Sequence, residues 1–301
     1  MLSDLSIQSL RDRVLLLHSL PAFAPLEDDT LTLLAEHVRV KHCRAGETLL
    51  KLGEPIHHVY ILLEGEVRWQ RASQAVPSLA TTQDVVGWIT LMARDPQGMS
   101  ATVESDAQLI ELPAEMLEHA LEQDFSLARN MLRMGADSLV RARGNLPARI
   151  DQIAEVQVGV MRKQRRTLVE RLIDMRKTPL FANCDIEALV ALTRRTRELR
   201  AEPGELLWRA GEEAAPFWLF VDYGKVRCTN AAGESMEVGS GWVIGMMDAI
   251  AQRPRAYEAR AVTQVLGERI ELEAFLGVLE THVELARDFI AFLAQRVLDR
   301  S

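Results

Sequence analysis

Long hydrophobic runs are missing from this chain. No apolar stretch approaches the ~18 residues a membrane span needs, and Met1-Leu2-Ser3-Asp4 offers no basic leader. A membrane-inserted or exported protein is therefore not expected. Cysteine is scarce as well: Cys43, Cys184 and Cys228 are odd in number, far apart and form no CxxC pair. That argues against a disulfide framework or a cysteine-built zinc site and favours a reducing cytoplasm. GxSxG, P-loop, HExxH and kinase signatures are absent, and the carboxylates Asp95, Asp248 and Glu258 stand alone. His57 and His58 are adjacent on extended sequence, so they point opposite ways, and the other histidines are scattered. The expectation is no enzyme, no metal and no cofactor.

What remains is a chain of 301 residues, 48% hydrophobic and 26% charged, which are globular proportions and enough for two domains. Its charge is unevenly distributed. Residues 1–140 carry a net −9, residues 141–177 a net +6 and residues 178–301 a net −5. Two acidic bodies joined by a basic connector have no electrostatic reason to sit on a phosphate backbone.

The strongest signal is an internal duplication. Ala45-Gly46-Glu47 recurs as Pro203-Gly204-Glu205 and Gly53-Glu54 as Gly211-Glu212, both 158 residues on. Gly65-Glu66-Val67 recurs as Gly224-Lys225-Val226 at 159, then Gly87, Pro96 and Ala101 recur as Gly245, Pro254 and Ala259, again at 158. Leu127-Ala128-Arg129-Asn130 recurs as Leu285-Ala286-Arg287-Asp288 at the same offset. Each copy reads as an amphipathic helix, capped by Asp28 or Asp29 in the first and beginning near Asp185 in the second. Short strands follow, around Thr48–Lys51, Val59–Leu63, Val67–Gln70, Val85–Val86, Ser100–Val103 and Leu109–Leu112, separated by glycines. Helical sequence closes each copy, at Ala114–Gln123 and Ser126–Ala142, then Glu273–Glu280 and Val283–Leu298.

The run Gly46-Glu47, Gly53-Glu54, Val59-Tyr60-Ile61-Leu62 and Gly65-Glu66-Val67 resembles the cyclic-nucleotide-binding domain. That resemblance implies a mainly β fold: two jelly rolls (double-stranded β-helices) with flanking helices, joined by a helical connector. It implies an N-terminal helix at 1–18, a first domain at 19–143, a basic connector at 144–176 and a second domain at 177–301. The tandem arrangement is similar to regulatory subunits of cyclic-nucleotide-dependent kinases, and each copy to bacterial catabolite-activator-type regulators. Such regulators continue into a helix-turn-helix domain, whereas this sequence runs only to Ser301, so DNA recognition is not expected.

In that family a cassette close to Phe-Gly-Glu-Leu-Ala-Leu, a loop, then Arg-Ala-Ala-Thr-Val holds the cyclic phosphate through backbone N–H groups and the arginine. Its glutamate takes the ribose hydroxyl. Here the first copy has Gly87 followed by Trp88 at the glutamate place and Met99 at the arginine place, ahead of Thr102. The second has Gly245, then Met246 and Tyr257 at those places. Trp88 and Met99 are expected to lie together and fill the vacated pocket. Arg253, Arg255 and Arg260 lie in the second cassette, with Arg253 and Arg255 the candidate anion contacts.

The proline-free run Ala148–Met175 predicts a connector helix with an apolar stripe through Ile153, Val156, Val160, Leu168, Leu172 and Met175. The closing helices carry more apolar residues than one stripe needs, with Phe289, Phe292 and Leu293 as the candidate interface of a homodimer or of a complex with another signalling protein. The sequence therefore points to a bacterial-type, cytoplasmic, non-enzymatic regulatory or adaptor protein that does not bind cyclic nucleotide in the usual way. The alternative is a sensor of a cyclic mono- or dinucleotide through a non-standard pocket in domain 2.

Overall fold

The computed structural model describes residues 9–143, 146–147, 167–176, 181, 184–213 and 216–299. The first repeat begins with helices α1 (Leu10–Ser19) and α2 (Asp28–His37), followed by strands β1 (Arg39–Cys43), β2 (Thr48–Leu50), β3 (His58–Arg71), β4 (Ser78–Ala80) and β5 (Val85–Val86). A short helix α3 (Trp88–Met92), the long strand β6 (Met99–Pro113) and helices α4 (Ala114–Gln123) and α5 (Phe125–Arg143) complete it. The second repeat runs α6 (Leu168–Arg176), α7 (Ile186–Arg195), β7 (Arg197–Ala201), β8 (Leu206–Trp208), β9 (Phe217–Tyr223), β10 (Val226–Asn230), β11 (Ser235–Val238) and β12 (Val243–Ile244). It closes with α8 (Met246–Ala251), β13 (Tyr257–Ala261), β14 (Val265–Glu271), α9 (Leu272–Thr281) and α10 (Val283–Leu298).

All strand pairing is antiparallel, as a jelly roll requires. In the first roll β3 and β6 pair along nearly their whole length, from His58 opposite Pro113 to Arg71 opposite Met99, with β1, β2, β4 and β5 on their outer edges. The second roll splits the same path into two four-stranded sheets, β11-β10-β13-β8 and β12-β9-β14-β7. The strands expected at Val59–Leu63 and Val67–Gln70 are thus one strand, bent through register shifts between Leu62 and Val67. The bend needs glycine: Gly65 sits at φ +92°, and a Cβ there would lie 2.7 Å from Asp106 O. Gly224 holds the equivalent place at φ +91°.

Alternating residues fill each roll. Tyr60, Leu62, Val67, Met99, Ala101, Val103 and Leu109 form the first core, and Leu219, Val221, Val226, Cys228, Tyr257, Ala259 and Val265 the second. Helix starts differ from expectation at one point. Asp28 and Asp29 lie inside the first turn of α2, whose N-cap is Glu27, whereas Asp185 caps α7 through its side chain, accepting from Glu187 N and Ala188 N. Of the expected connector helix, 148–166 lie outside the described residues. The described part, α6, starts at a capping box in which Thr167 and Glu170 satisfy each other's main-chain N–H groups. Met175 is buried, Leu168 and Leu172 are half-buried, and Val169 and Ile173 face solvent.

The duplication reaches these first helices. Ser9 and Asp12 form the capping box of α1, 158 residues before Thr167 and Glu170. Arg13, one residue on, donates to Val38 O at 3.2 Å; Arg171 repeats this with Thr196 O at 3.3 Å. Arg171 does more. Its Nε and Nη2 each lie 2.8 Å from a carboxylate oxygen of Glu268 on β14, which also accepts from Thr196 Oγ1 at 2.8 Å. Glu268 is buried, and its counterpart in the first roll is Ile110. Removing one member of a buried pair strands the other, so Arg171→Ala should destabilise unit 2 by ~3–5 kcal/mol. Arg13→Ala, which loses a hydrogen bond to a carbonyl, should cost about 1–2 kcal/mol. Chemical denaturation of both variants checks this ranking; equal losses would contradict it.

Candidate functional site

The cassettes occupy matching places. In each roll a two-residue strand (β5 or β12) delivers a glycine in the left-handed region, Gly87 at φ +92° and Gly245 at φ +79°, and this glycine caps a short helix. The residue after it faces the helices, not the roll interior. Trp88 is half-buried and stands edge-on to Phe23, with ring centroids 6.0 Å apart. Met246 is buried and lines an apolar cavity of about 20 Å³ with Trp218, Phe275 and Phe289. The expectation that Trp88 and Met99 together fill the first pocket is therefore corrected. Met99 belongs to the roll core, where Thr90 Oγ1 donates to its sulfur at 3.4 Å, and Trp88 lies outside that cluster. Trp88 opens α3 directly after Gly87, whereas Met99 opens β6. Thr102 is half-buried on β6, paired with Thr48 and Arg68.

The second cassette is closed by its own side chains. Arg255 is 2% exposed; its Nη1 donates to Gly245 O at 2.9 Å and its Nη2 to Phe217 O at 2.6 Å. Its guanidinium lies 4.5 Å from the Trp208 ring centroid and 5.1 Å from that of Phe217. Tyr257, fully buried, accepts the Gly245 N–H at 2.9 Å and packs against Trp208 at 6.2 Å. Burial lowers the Arg255 pKa, opposed by the nearby charge of the buried Asp248. The guanidinium that reaches the cassette glycine is thus that of Arg255, whereas Tyr257 occupies the glycine's N–H. One offset earlier than Arg255 stands Gln97, so the first roll has no cation there.

The other candidate anion contacts are also engaged. Arg253 pairs with Asp137, and the hydrogen bond from Arg253 holds the Asp137 carboxyl below its ordinary range. Arg260 is exposed and bonds Glu258 at 3.0 Å and Gly204 O at 2.9 Å. The expected interface residues Phe289 and Leu293 are buried, because Phe289 packs on Phe275 with centroids 4.9 Å apart; Phe292 is half-buried beneath Arg296.

Burial pushes the Cys184 thiol up to about 11 and raises that of Cys43 too, so both are protonated at neutral pH. A polar cleft of about 450 Å³ in the first roll brings His37, His57 and His58 near Glu36, Glu111 and Glu115. Among the described residues no group of three or more side chains could hold a metal ion. Nor, among them, is any helix long and apolar enough to cross a membrane.

Sequence reasoning missed the role of Arg255. The repeat offset alone does not find it, because Arg253, Arg255 and Arg260 match Asp95, Gln97 and Thr102 alike. Gly245 also has no room for a side chain: a Cβ would lie 2.4 Å from Arg255 Nη1. Tyr257→Phe should leave the Gly245 N–H without its acceptor and cost ~1–3 kcal/mol. Urea denaturation measures this, and a neutral effect would mean the tyrosine hydroxyl is incidental.

Comparison with known proteins matches the Cyclic nucleotide-binding domain family model twice, at residues 40–124 and 198–282. The acetyltransferase Pat of Mycolicibacterium smegmatis is 28% identical over 131 residues, 40% of this chain and 39% of that protein. The match thus spans well under half of that relative's length. Among solved structures, the regulatory domain of Toxoplasma gondii PKA with cAMP is 15% identical, with 94% of this chain and 98% of that chain covered and a TM-score of 0.35. The sensor domain of the transcriptional regulator DNR from Pseudomonas aeruginosa is 21% identical over 43% of this chain and 95% of that one, with a TM-score of 0.39.

Proposed function

The chain belongs to the cyclic nucleotide-binding domain family, in two copies, and we propose that it is a non-enzymatic regulatory adaptor whose cassettes hold the fold rather than a cyclic mononucleotide. The observation that carries this reading is the engagement of Arg255 with Gly245 O and Phe217 O while Tyr257 takes the Gly245 N–H. A cyclic phosphate needs those same donors. To reach them it would have to displace two carbonyls and a phenol from a buried site, and the charge-assisted bonds gained would replace bonds already made. The glutamate that would take the ribose is absent from both copies, its place held by Trp88 and Met246. In the first roll Gln97 and Met99 supply no cation at all. The protein contacts of such an adaptor would be made in the cytoplasm, by surfaces outside the cassettes, with another signalling protein.

A second reading keeps copy 2 as a sensor, and Arg255 favours it, being a guanidinium already held at the cassette glycine. The two readings separate in one titration. Isothermal calorimetry with cyclic AMP, cyclic GMP and cyclic di-GMP should show no saturable binding below ~10 µM. A tighter isotherm that disappears in Arg255→Ala would overturn the adaptor reading and establish the sensor.

A further inference from the structure

The two compact units of this chain are not the two repeats. Unit 1 comprises Met1–Met131 with Ile290–Ser301, and unit 2 comprises Leu132–Phe289. The cut points, after Met131 and after Phe289, stand 158 residues apart, which is the repeat offset. Helices α5 and α10 are therefore divided at the same place in each repeat, and the second half of each belongs to the unit built on the other repeat's roll.

The contacts inside each unit bear this out. In unit 1, Arg71 at the end of β3 donates from Nη2 to Leu298 O at 2.6 Å. Also in unit 1, Gln295 Nε2 donates to the carbonyl of Ala93, the C-cap of α3, at 3.0 Å. In unit 2, Asp137 of α5 pairs with Arg253, just past α8. Asp137 and Gln295 are again 158 apart, so the same helix position reaches the end of the cassette helix in both units. Only the chemistry differs, a charged pair in unit 2 and a neutral hydrogen bond in unit 1. The apolar positions match too: Leu132 and Ala136 correspond to Ile290 and Ala294, and all four are buried.

We propose that the repeats exchange the second halves of their closing helices, so that each cassette is clasped by the other repeat's helix and the surface expected to join two chains is used within one. The partner of this apolar surface is the sister repeat. Reciprocity has a consequence: neither repeat can complete its unit alone. This proposal does not rest on whether either cassette takes a ligand.

The test uses the full chain with a protease site inserted within 148–166. Uncut protein should scatter light as one chain of 33.8 kDa. After cutting, the two fragments should stay together through gel filtration at ~10 µM. Asp137→Arg should weaken their association about fivefold, and adding Arg253→Asp should restore it. Fragments that part on cutting would overturn the exchange. So would an association indifferent to Asp137→Arg that also survives Ile290→Asp, a change placed in the exchanged half of α10.

Discussion

A guanidinium without water around it sets the terms for the second roll. Arg255 is buried, so its charge must be answered by fixed dipoles and nearby charge or the roll would not hold it. Two main-chain carbonyls, two aromatic faces and the buried Asp248 supply that answer. The rest of the cassette follows from this arrangement. Position 245 must be glycine because the guanidinium lies where a Cβ would be. Trp208 must be flat and apolar because it covers the cation. Tyr257 reaches the glycine N–H and accepts it inside the buried site.

The first roll shows the same backbone without the charge. Gly87 keeps the left-handed turn, α3 keeps its place, and a methionine sulfur meets a threonine hydroxyl where the second roll has its tyrosine. With Gln97 in place of the arginine there is no cation to bury and no aromatic cover around it. Two copies of one fold therefore fill the same place by different means, one by apolar packing and one around a buried, hydrogen-bonded arginine. Arg171 and Glu268 repeat the contrast outside the cassette, where the first roll has Arg13 and an isoleucine.

The duplication, the roll and the closing helices were legible in sequence because glycines and apolar alternation at a fixed offset leave a periodic trace. Helices α1 and α6 were expected as an N-terminal helix and the end of the connector, but their equivalence escaped notice because it rests on a capping box and one arginine. The direction of Trp88 was not legible either: one residue past a left-handed glycine, a side chain turns out of the roll, and the sequence places no marker on that turn. Arg255 was hardest to read. Three arginines lie within eight residues, and nothing in their immediate neighbours says that one of them turns inward while the others pair with Asp137 and Glu258 at the surface. Nor does the sequence mark that Phe289 packs on Phe275 or that Leu293 is buried.

The engagement of Arg255 decides between a filled cassette and an open one. Nitrogen-15 NMR of arginine side chains reads it directly, because a guanidinium held by carbonyls inside a protein gives resolved, slowly exchanging N–H signals. The prediction is that one such set disappears in Arg255→Lys and that its positions are unmoved by millimolar cyclic AMP. Fast-exchanging Arg255 signals, or signals that shift and saturate as the nucleotide is added, would contradict it.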